Sequence, residues 1–218
     1  MIPDAYFDQF RNPKYRRRNP VQRLLLRRFV AKVESLFVEA APAEMVLEVG
    51  VGEGFLAGYL WERFSDKKFT GVDLHQESLD RLKCLFHGIE THQGDAYDLA
   101  FLGREYDLVI CAEVLEHLQD PQRALNQILS LKPKHTILTV PHEPWFMVSN
   151  FLRGKTLRRF GNDSGHVNHY TVRSFRRLLS PYFEILRLTR SYPWILALAK
   201  PRVTARSGLQ SAREDASR

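Results

Sequence analysis

The sequence predicts an α/β fold of three layers: a seven-stranded sheet, mostly parallel, with an antiparallel hairpin at its C-terminal edge. Three observations carry that expectation. Short β-rich runs alternate with helix-patterned segments between residues 46 and 140, an order that places a parallel sheet between two layers of helices. The first β-rich run ends in the glycine turn GVGEG and leads into a helix, the usual opening of a βαβ unit with a ligand at its crest. Two final β-rich runs are separated by only a short turn around Ser191, too short for a crossover helix, so they pair antiparallel.

The elements follow in order. From Asn19 the chain offers an N-cap, Pro20 at the first helical position, and Val21, Leu24, Leu25, Phe29, Val33, Leu36 and Phe37 at helical spacing. VLEVG (46–50) reads as a strand, FLAGYLWERF (55–64) as a helix and FTGVD (69–73) as a second strand. A helix near 76–87, strands at 89–93 and 106–112, a helix near 121–130 and a strand at 135–140 continue the alternation. After an irregular stretch from Pro141 to Tyr170, Thr171 caps the helix VRSFRRLL, and YFEILRLTR and YPWILALA close the sheet. Residues 1–200 thus read as one Rossmann-like domain, with an N-terminal basic arm and helix at 1–40 and a substrate-side insert at 141–170. The segment 201–218, rich in Ser, Ala and Arg, is expected to be a disordered tail.

Composition narrows the function. With 218 residues, 44% of them hydrophobic, the chain can bury one substantial core. Its two cysteines, Cys84 and Cys111, form no CxxC pair, which excludes a disulfide framework and a thiolate zinc site within the chain and fits a reducing, cytoplasmic setting. The opening MIPDAYFDQF carries charge where a secretory signal needs an apolar run, and no stretch is apolar for the length of a bilayer span. The net charge of +7 is unevenly spread: segments 1–32, 152–190 and 200–218 carry +7, +7 and +3, and the remainder −10. Basic ends suit a nucleic acid or an anionic membrane surface beside a small-molecule acceptor, or serve solubility alone. Oligomeric state has no signature in the sequence.

In a doubly wound sheet the ligand lies beyond the carboxyl ends of the strands, so the residues after each strand carry the chemistry. Gly50, Gly52 and Gly54 permit close backbone approach before a helix N-terminus. Asp73, at the end of the second strand, is placed for ribose hydroxyls, its alternative role being a cap for the helix that follows. Gly52, Gly54 and Ala57 also satisfy a dinucleotide fingerprint, but Glu48 inside the strand would repel a pyrophosphate and suits a cationic ligand. Asp95 and Ala96, in GDAYDL, offer an acceptor and an amide to an adenine edge. Three carboxylates around a positively charged adenosine describe a sulfonium nucleoside.

VLEVGVGEG, Asp73, GDAYDL and YDLVICAEVLEHLQDPQRALNQI, in this order and spacing, resemble the successive motifs of class I S-adenosylmethionine-dependent methyltransferases, type 11, the group that includes ubiquinone-biosynthesis methyltransferases. The resemblance covers roughly residues 44–141. It implies S-adenosylmethionine as cofactor, with Glu48 and the Gly50, Gly52 and Gly54 backbone holding the methionine part and ribose. Asp73 would take the ribose hydroxyls, Leu74 would cover the adenine, Asp95 and Ala96 would read its edge, and the backbone at Cys111 and Ala112 would take the methionine amino group. Lys132-Pro133-Lys134-His135 departs from the family's KPGG at the opposite end of the sheet.

The expected reaction is methylation of a small-molecule or saccharide-like acceptor, at oxygen because histidines, the natural bases for a hydroxyl, cluster after the fourth strand. His117, His142, His166 and His169 are the candidates; His135 begins a strand at the wrong end. Glu113, Glu116 and His117 with His166 or His169 also resemble the metal-binding set of small-RNA 3′-end methyltransferases, which gives an alternative of metal-assisted ribose 2′-O-methylation of RNA. The E-x-x-E-H string is equally a helix introduction in metal-free relatives, and no metal is assigned. A cofactor-binding interaction protein without catalysis is the remaining alternative. The absence of Pro-Cys and Asn-Pro-Pro-Tyr signatures argues against cytosine-C5 and adenine-amine methylation. In 144–160, Trp145, Phe146, Val148, Phe151, Leu152 and Leu157 interleave with Arg153, Lys155, Arg158 and Arg159, a segment expected to form a lid over the acceptor pocket, the alternative being contact with an anionic lipid surface or an RNA backbone.

Overall fold

The computed structural model describes residues 2–143 and 167–202. Seven strands, β1 (Met45–Val49), β2 (Lys68–Asp73), β3 (Ile89–Gln93), β4 (Leu108–Ala112), β5 (His135–Pro141), β6 (Phe183–Ser191) and β7 (Trp194–Pro201), form one sheet in the order β3-β2-β1-β4-β5-β7-β6. The first five run parallel, and β7 lies antiparallel to both β5 and β6. The hairpin thus forms as expected, with its second strand inserted beside β5 and its first left at the edge. Strand order reverses between β1 and β4, which fixes the ligand crevice at their carboxyl ends.

Three of the helices read from the sequence start where side chains hold the free amides. The Asn19 side chain accepts the Gln22 N–H at the head of α3 (Pro20–Glu39), Asp120 accepts that of Arg123 at α6 (Pro121–Ser130), and Thr171 with Ser174 forms a reciprocal capping box at α7 (Val172–Leu179). The helices α4 (Phe55–Arg63) and α5 (Gln76–Leu85) complete the set between strands. Two short helices, α1 (Asp4–Asp8) and α2 (Pro13–Arg16), stand where the sequence suggests only a basic arm.

Burial sorts the molecule into three layers. Val30, Val33 and Leu36 of α3 and Leu60 of α4 pack with Val46, Ile110, Leu196 and Leu198 on one face of the sheet. On the other, Leu125 and Ile128 of α6 and Phe175 and Leu179 of α7 pack with Leu47, Val109, Leu138 and Ala197. Because β1 and β4 are covered on both faces, they are apolar runs interrupted only at Glu48. At the amino ends of the strands, Asp107 accepts the amides of Glu44 and Met45 and pairs with Lys134. Burial pushes the Asp107 carboxyl up, but Lys134 and the two amides outweigh it and bring it down to about 2. Pro201, expected in the tail, closes β7, and the Arg202 amide is tied to the Tyr182 carbonyl. The remaining tail, 203–218, and the lid segment expected at 144–160, with His166, lie outside the described residues.

Candidate functional site

The glycine loop is shaped by backbone that side chains disfavour. Gly50, Gly52 and Gly54 take φ of 75°, 54° and 83°. A Cβ on Gly50 would stand 2.3 Å from Val114 Cγ2, so that glycine is needed for packing. A Cβ on Gly52 would meet nothing within 4 Å, so that glycine faces open space into which a ligand can approach. The Gly52 amide donates to Asp73 Oδ2 at 2.8 Å, and the His75 amide donates to Asp73 Oδ1 at 2.9 Å. His75, not Asp73, is the N-cap of α5, and its side chain makes no capping bond. The carboxylate therefore spans the crevice between the β1 and β2 loops instead of capping the helix, with a second lone pair on each oxygen left for hydroxyls.

Around this loop the structure gathers the other expected contacts. Glu48 is 4% exposed, and its Oε2 has no hydrogen-bond partner. Burial, with a smaller contribution from the Asp73 carboxylate, pushes it up to about 8 against the pull of the Ala57 amide. A buried carboxyl with an unmet oxygen at the crest of β1 is suited to a cationic group. Leu74, directly after β2, is 58% exposed, an apolar surface of the kind a flat ring can cover. Asp95 follows β3 with its Oδ1 held by the Tyr97 amide, and Ala96 is half-buried beside it. Cys111 is paired on both sides, to Val49 and Leu138, while Ala112 is paired to β5 alone. The free end of the strand is thus at Ala112, and burial raises the Cys111 thiol well beyond its ordinary range.

Glu113 leaves β4 at φ 61°, a conformation that costs a residue with a side chain about 1 kcal/mol or more and is typical of functional loops. Lys14 of α2 donates to Glu113 Oε2, while Oε1 is buried without a hydrogen-bond partner. Glu113 and burial act on the ammonium in opposite senses, and the carboxylate prevails, raising Lys14. Glu116, 1% exposed and also with an unmet oxygen, is pushed strongly upward by burial and then by Glu113. The arm bearing Lys14 is seated by aromatic contact: Tyr15 stacks on Phe55 at 4.0 Å, and the Tyr6 hydroxyl donates to the Phe55 carbonyl at 2.8 Å. The Arg11 amide donates to Glu53 Oε2 at 2.7 Å, inside the glycine loop itself. The arm therefore bridges the β1 and β4 loops across the crevice.

Three of the histidine candidates, His117, His142 and His169, lie near the β4 and β5 ends. Val167 and Asn168 donate their amides to the Glu116 carbonyl, and the Asn168 side chain donates to Leu118, which seats the end of the insert on the β4 loop. A bridge between His142 and Tyr170 joins that segment to the end of β5. His117 is half exposed, with Nε2 4.0 Å from Glu116; His169 Nδ1 lies 3.7 Å from Glu143 Oε1; His142 is half-buried and lowered by burial and then by Arg190. Among the described residues no three His, Cys, Asp or Glu side chains are placed to hold a metal ion.

Sequence reasoning missed Lys14, Tyr15 and Phe55. The available signal was the aromatic group Tyr6, Phe7, Phe10 and Tyr15 in the N-terminal arm; Phe7 and Phe10 are almost fully buried.

Residues 47–136 match the family described as a methyltransferase domain, type 11. Over 70 residues the chain is 40% identical to a fatty-acid O-methyltransferase of Mycolicibacterium smegmatis, an overlap of 31% of this chain and 26% of that one. Over 91 residues it is 35% identical to a ubiquinone biosynthesis O-methyltransferase of Aeromonas salmonicida, 39% of this chain and 37% of that one. The matched part thus spans between 26% and 37% of these relatives' length. Among solved structures, magnesium protoporphyrin IX methyltransferase from Synechocystis PCC 6803 with bound SAH superimposes at a TM-score of 0.64, with 20% identity over 85% of this chain and 89% of that one, a likeness of fold.

Proposed function

We propose that this chain, a class I methyltransferase of type 11 by its matched segment and its sheet, binds S-adenosylmethionine at the β1–β4 crevice and methylates an oxygen of a small-molecule acceptor. The observation that carries it is the pairing of an open glycine cradle at Gly52, tied to Asp73, with the buried, unmet Glu48 carboxyl beneath it. These residues fit the cofactor: a carboxylate for ribose hydroxyls, an apolar Leu74 for the adenine face, Asp95 and Ala96 for its edge, and Glu48 for the positively charged end. When bound, the cofactor supplies an electrophilic methyl group on a sulfonium.

The chain's own work is alignment and exclusion of water. Tyr15 and Phe55, stacked over the loop, remove solvent from the crevice, and Lys14 on Glu113 closes it on the β4 side. His142 is held neutral near pH 7 by burial and Arg190 and stands directly after β5, so it is the described histidine best suited to take a proton from an acceptor hydroxyl. Support for an oxygen acceptor comes from the relatives, which are named as O-methyltransferases of a fatty acid and of ubiquinone biosynthesis.

The test is transfer of labelled methyl from S-adenosylmethionine to a panel of long-chain carboxylic acids and substituted phenols, with SAH calorimetry alongside. Transfer to oxygen of either class is expected. Micromolar SAH binding without transfer to any acceptor in the panel or in cell extract would leave a binding protein in its place.

A further inference from the structure

The mouth of the crevice has a rim with its own character. The amino end of α3 is held there, because the Gln22 side chain donates to the Lys14 carbonyl at 2.5 Å and Lys14 is bound to Glu113. The β6–β7 turn reaches the same end, because Trp194 pairs with Pro141 at the close of β5 and the His142 amide donates to the Pro193 carbonyl at 2.7 Å. Phe29 of α3 meets Trp194 at 4.8 Å and joins the two. On this rim stand Val21, Leu24 and Tyr192, which are 57%, 46% and 49% exposed, and beside them the exposed Arg16, Arg17 and Arg190.

The acids of the arm do not neutralise these cations. Asp4 and Asp8 are engaged by Arg23, Arg27 and Arg18, and no acid among the described residues lies within ion-pair distance of Arg16, Arg17 or Arg190. Single exposed apolar side chains need no explanation. Here three of them sit on one rim with three unneutralised arginines, at the end of the sheet where the strand order reverses.

We propose that this rim docks on an anionic lipid bilayer. The charge is complementary to anionic headgroups, Val21 and Leu24 are of a size to enter the acyl boundary, and Tyr192 is the amphipathic aromatic favoured at that depth. A single-stranded nucleic acid would call for stacking faces along the basic track, and the α3 side of the rim presents aliphatic side chains. Docking here places the acceptor mouth against the membrane, so an acceptor with an alkyl chain passes from lipid to crevice without crossing water. The surface names the setting of the methyltransferase proposed above, but its evidence is independent of the cofactor site.

The experiment measures partition of the full chain onto vesicles of phosphatidylcholine alone and of phosphatidylcholine with about one-third phosphatidylglycerol, at low and high salt, with SAH affinity measured on the same samples. The chain is expected on the anionic vesicles only, and less of it at high salt. Each basic side chain near such a surface contributes about fivefold, so the double variant Arg16→Glu, Arg17→Glu should partition at least ~25-fold less, and Leu24→Ser alone several-fold less, with SAH affinity unchanged in both. Equal partition on neutral vesicles, no partition on either, or insensitivity to these substitutions overturns the proposal, as does displacement from anionic vesicles by a stoichiometric single-stranded oligonucleotide. Loss of SAH binding by the unaltered chain would instead overturn the methyltransferase proposal and leave the vesicle result standing.

Discussion

Asp73 is where the cofactor proposal meets its sharpest measurement. Its carboxylate holds the Gly52 amide with one oxygen and the His75 amide with the other, at 2.8 and 2.9 Å, so both oxygens are already aimed when a ribose arrives. A hydrogen bond from a neutral donor to a charged acceptor contributes about 1.5–3 kcal/mol. Asp73→Asn removes the charge and sets an NH₂ group against one of the two amides, so SAH affinity should fall by roughly 10- to 150-fold. Asp73→Ala also frees the Gly52 amide and slackens the loop, adding a lost bond of about 1 kcal/mol, or a further fivefold. Isothermal calorimetry with SAH reads both variants, and thermal unfolding without ligand reads the bracing separately. Affinities within threefold of the unaltered chain in both variants would refute the assignment. A loss of stability without a loss of affinity would show that the carboxylate only ties the two loops together.

Four further outcomes are expected. Glu48, raised to about 8, is protonated in the free protein at pH 7 and gives up its proton to a cationic ligand, so S-adenosylmethionine binding should release a proton at pH 7, strengthen as pH rises toward 8, and lose both traits in Glu48→Gln; calorimetry in buffers of different ionisation enthalpy measures it. Lys14→Met should speed SAH dissociation in stopped flow and make Arg16 to Arg18 cleavable by trypsin, because it removes the arm's tie to Glu113 and leaves that carboxylate without its cation; unchanged rates would show that the aromatic contacts hold the arm alone. If His142 takes the proton, activity falls with acid through a value below 6.5, where the imidazole becomes charged, and His142→Gln abolishes that limb while keeping SAH affinity. Methyl transfer should persist in excess chelator, since Glu113 is bound by Lys14; stoichiometric Mn²⁺ binding lost in Glu116→Gln would reverse that expectation and favour RNA as acceptor.

Much of the scaffold is written in local chemistry. Asn19 and Thr171 mark helix starts because a short polar side chain before an apolar period has few other uses, and β1 and β4 are legible as apolar runs because both their faces are covered. Glu48, the glycines and Asp73 stand out because each breaks a local rule: a carboxylate in a buried strand, three left-handed residues in a row of five, an acid closing a strand. What escapes is held at long range. Helices of five and four residues, α1 and α2, have too few turns for periodicity, and they persist through Tyr15 on Phe55 and Tyr6 on the Phe55 carbonyl. The Lys14–Glu113 pair spans 99 residues of sequence, and no pattern within either neighbourhood announces it. The grouping of 113–118, 141–143 and 167–170 likewise exists only once β4 and β5 are side by side.

The arm has a consequence for how such chains diverge. Everything proposed for the cofactor, from Glu48 to Ala112, falls inside the matched segment 47–136, whereas Lys14, Tyr15, His142 and His169, proposed on the acceptor side, all fall outside it. The molecule is thus a shared chassis fitted with a replaceable collar. Exchanging residues 2–18 is expected to change acceptor choice while the cofactor residues from Glu48 to Ala112 stay in place, with cofactor release altered only through the Lys14–Glu113 tie.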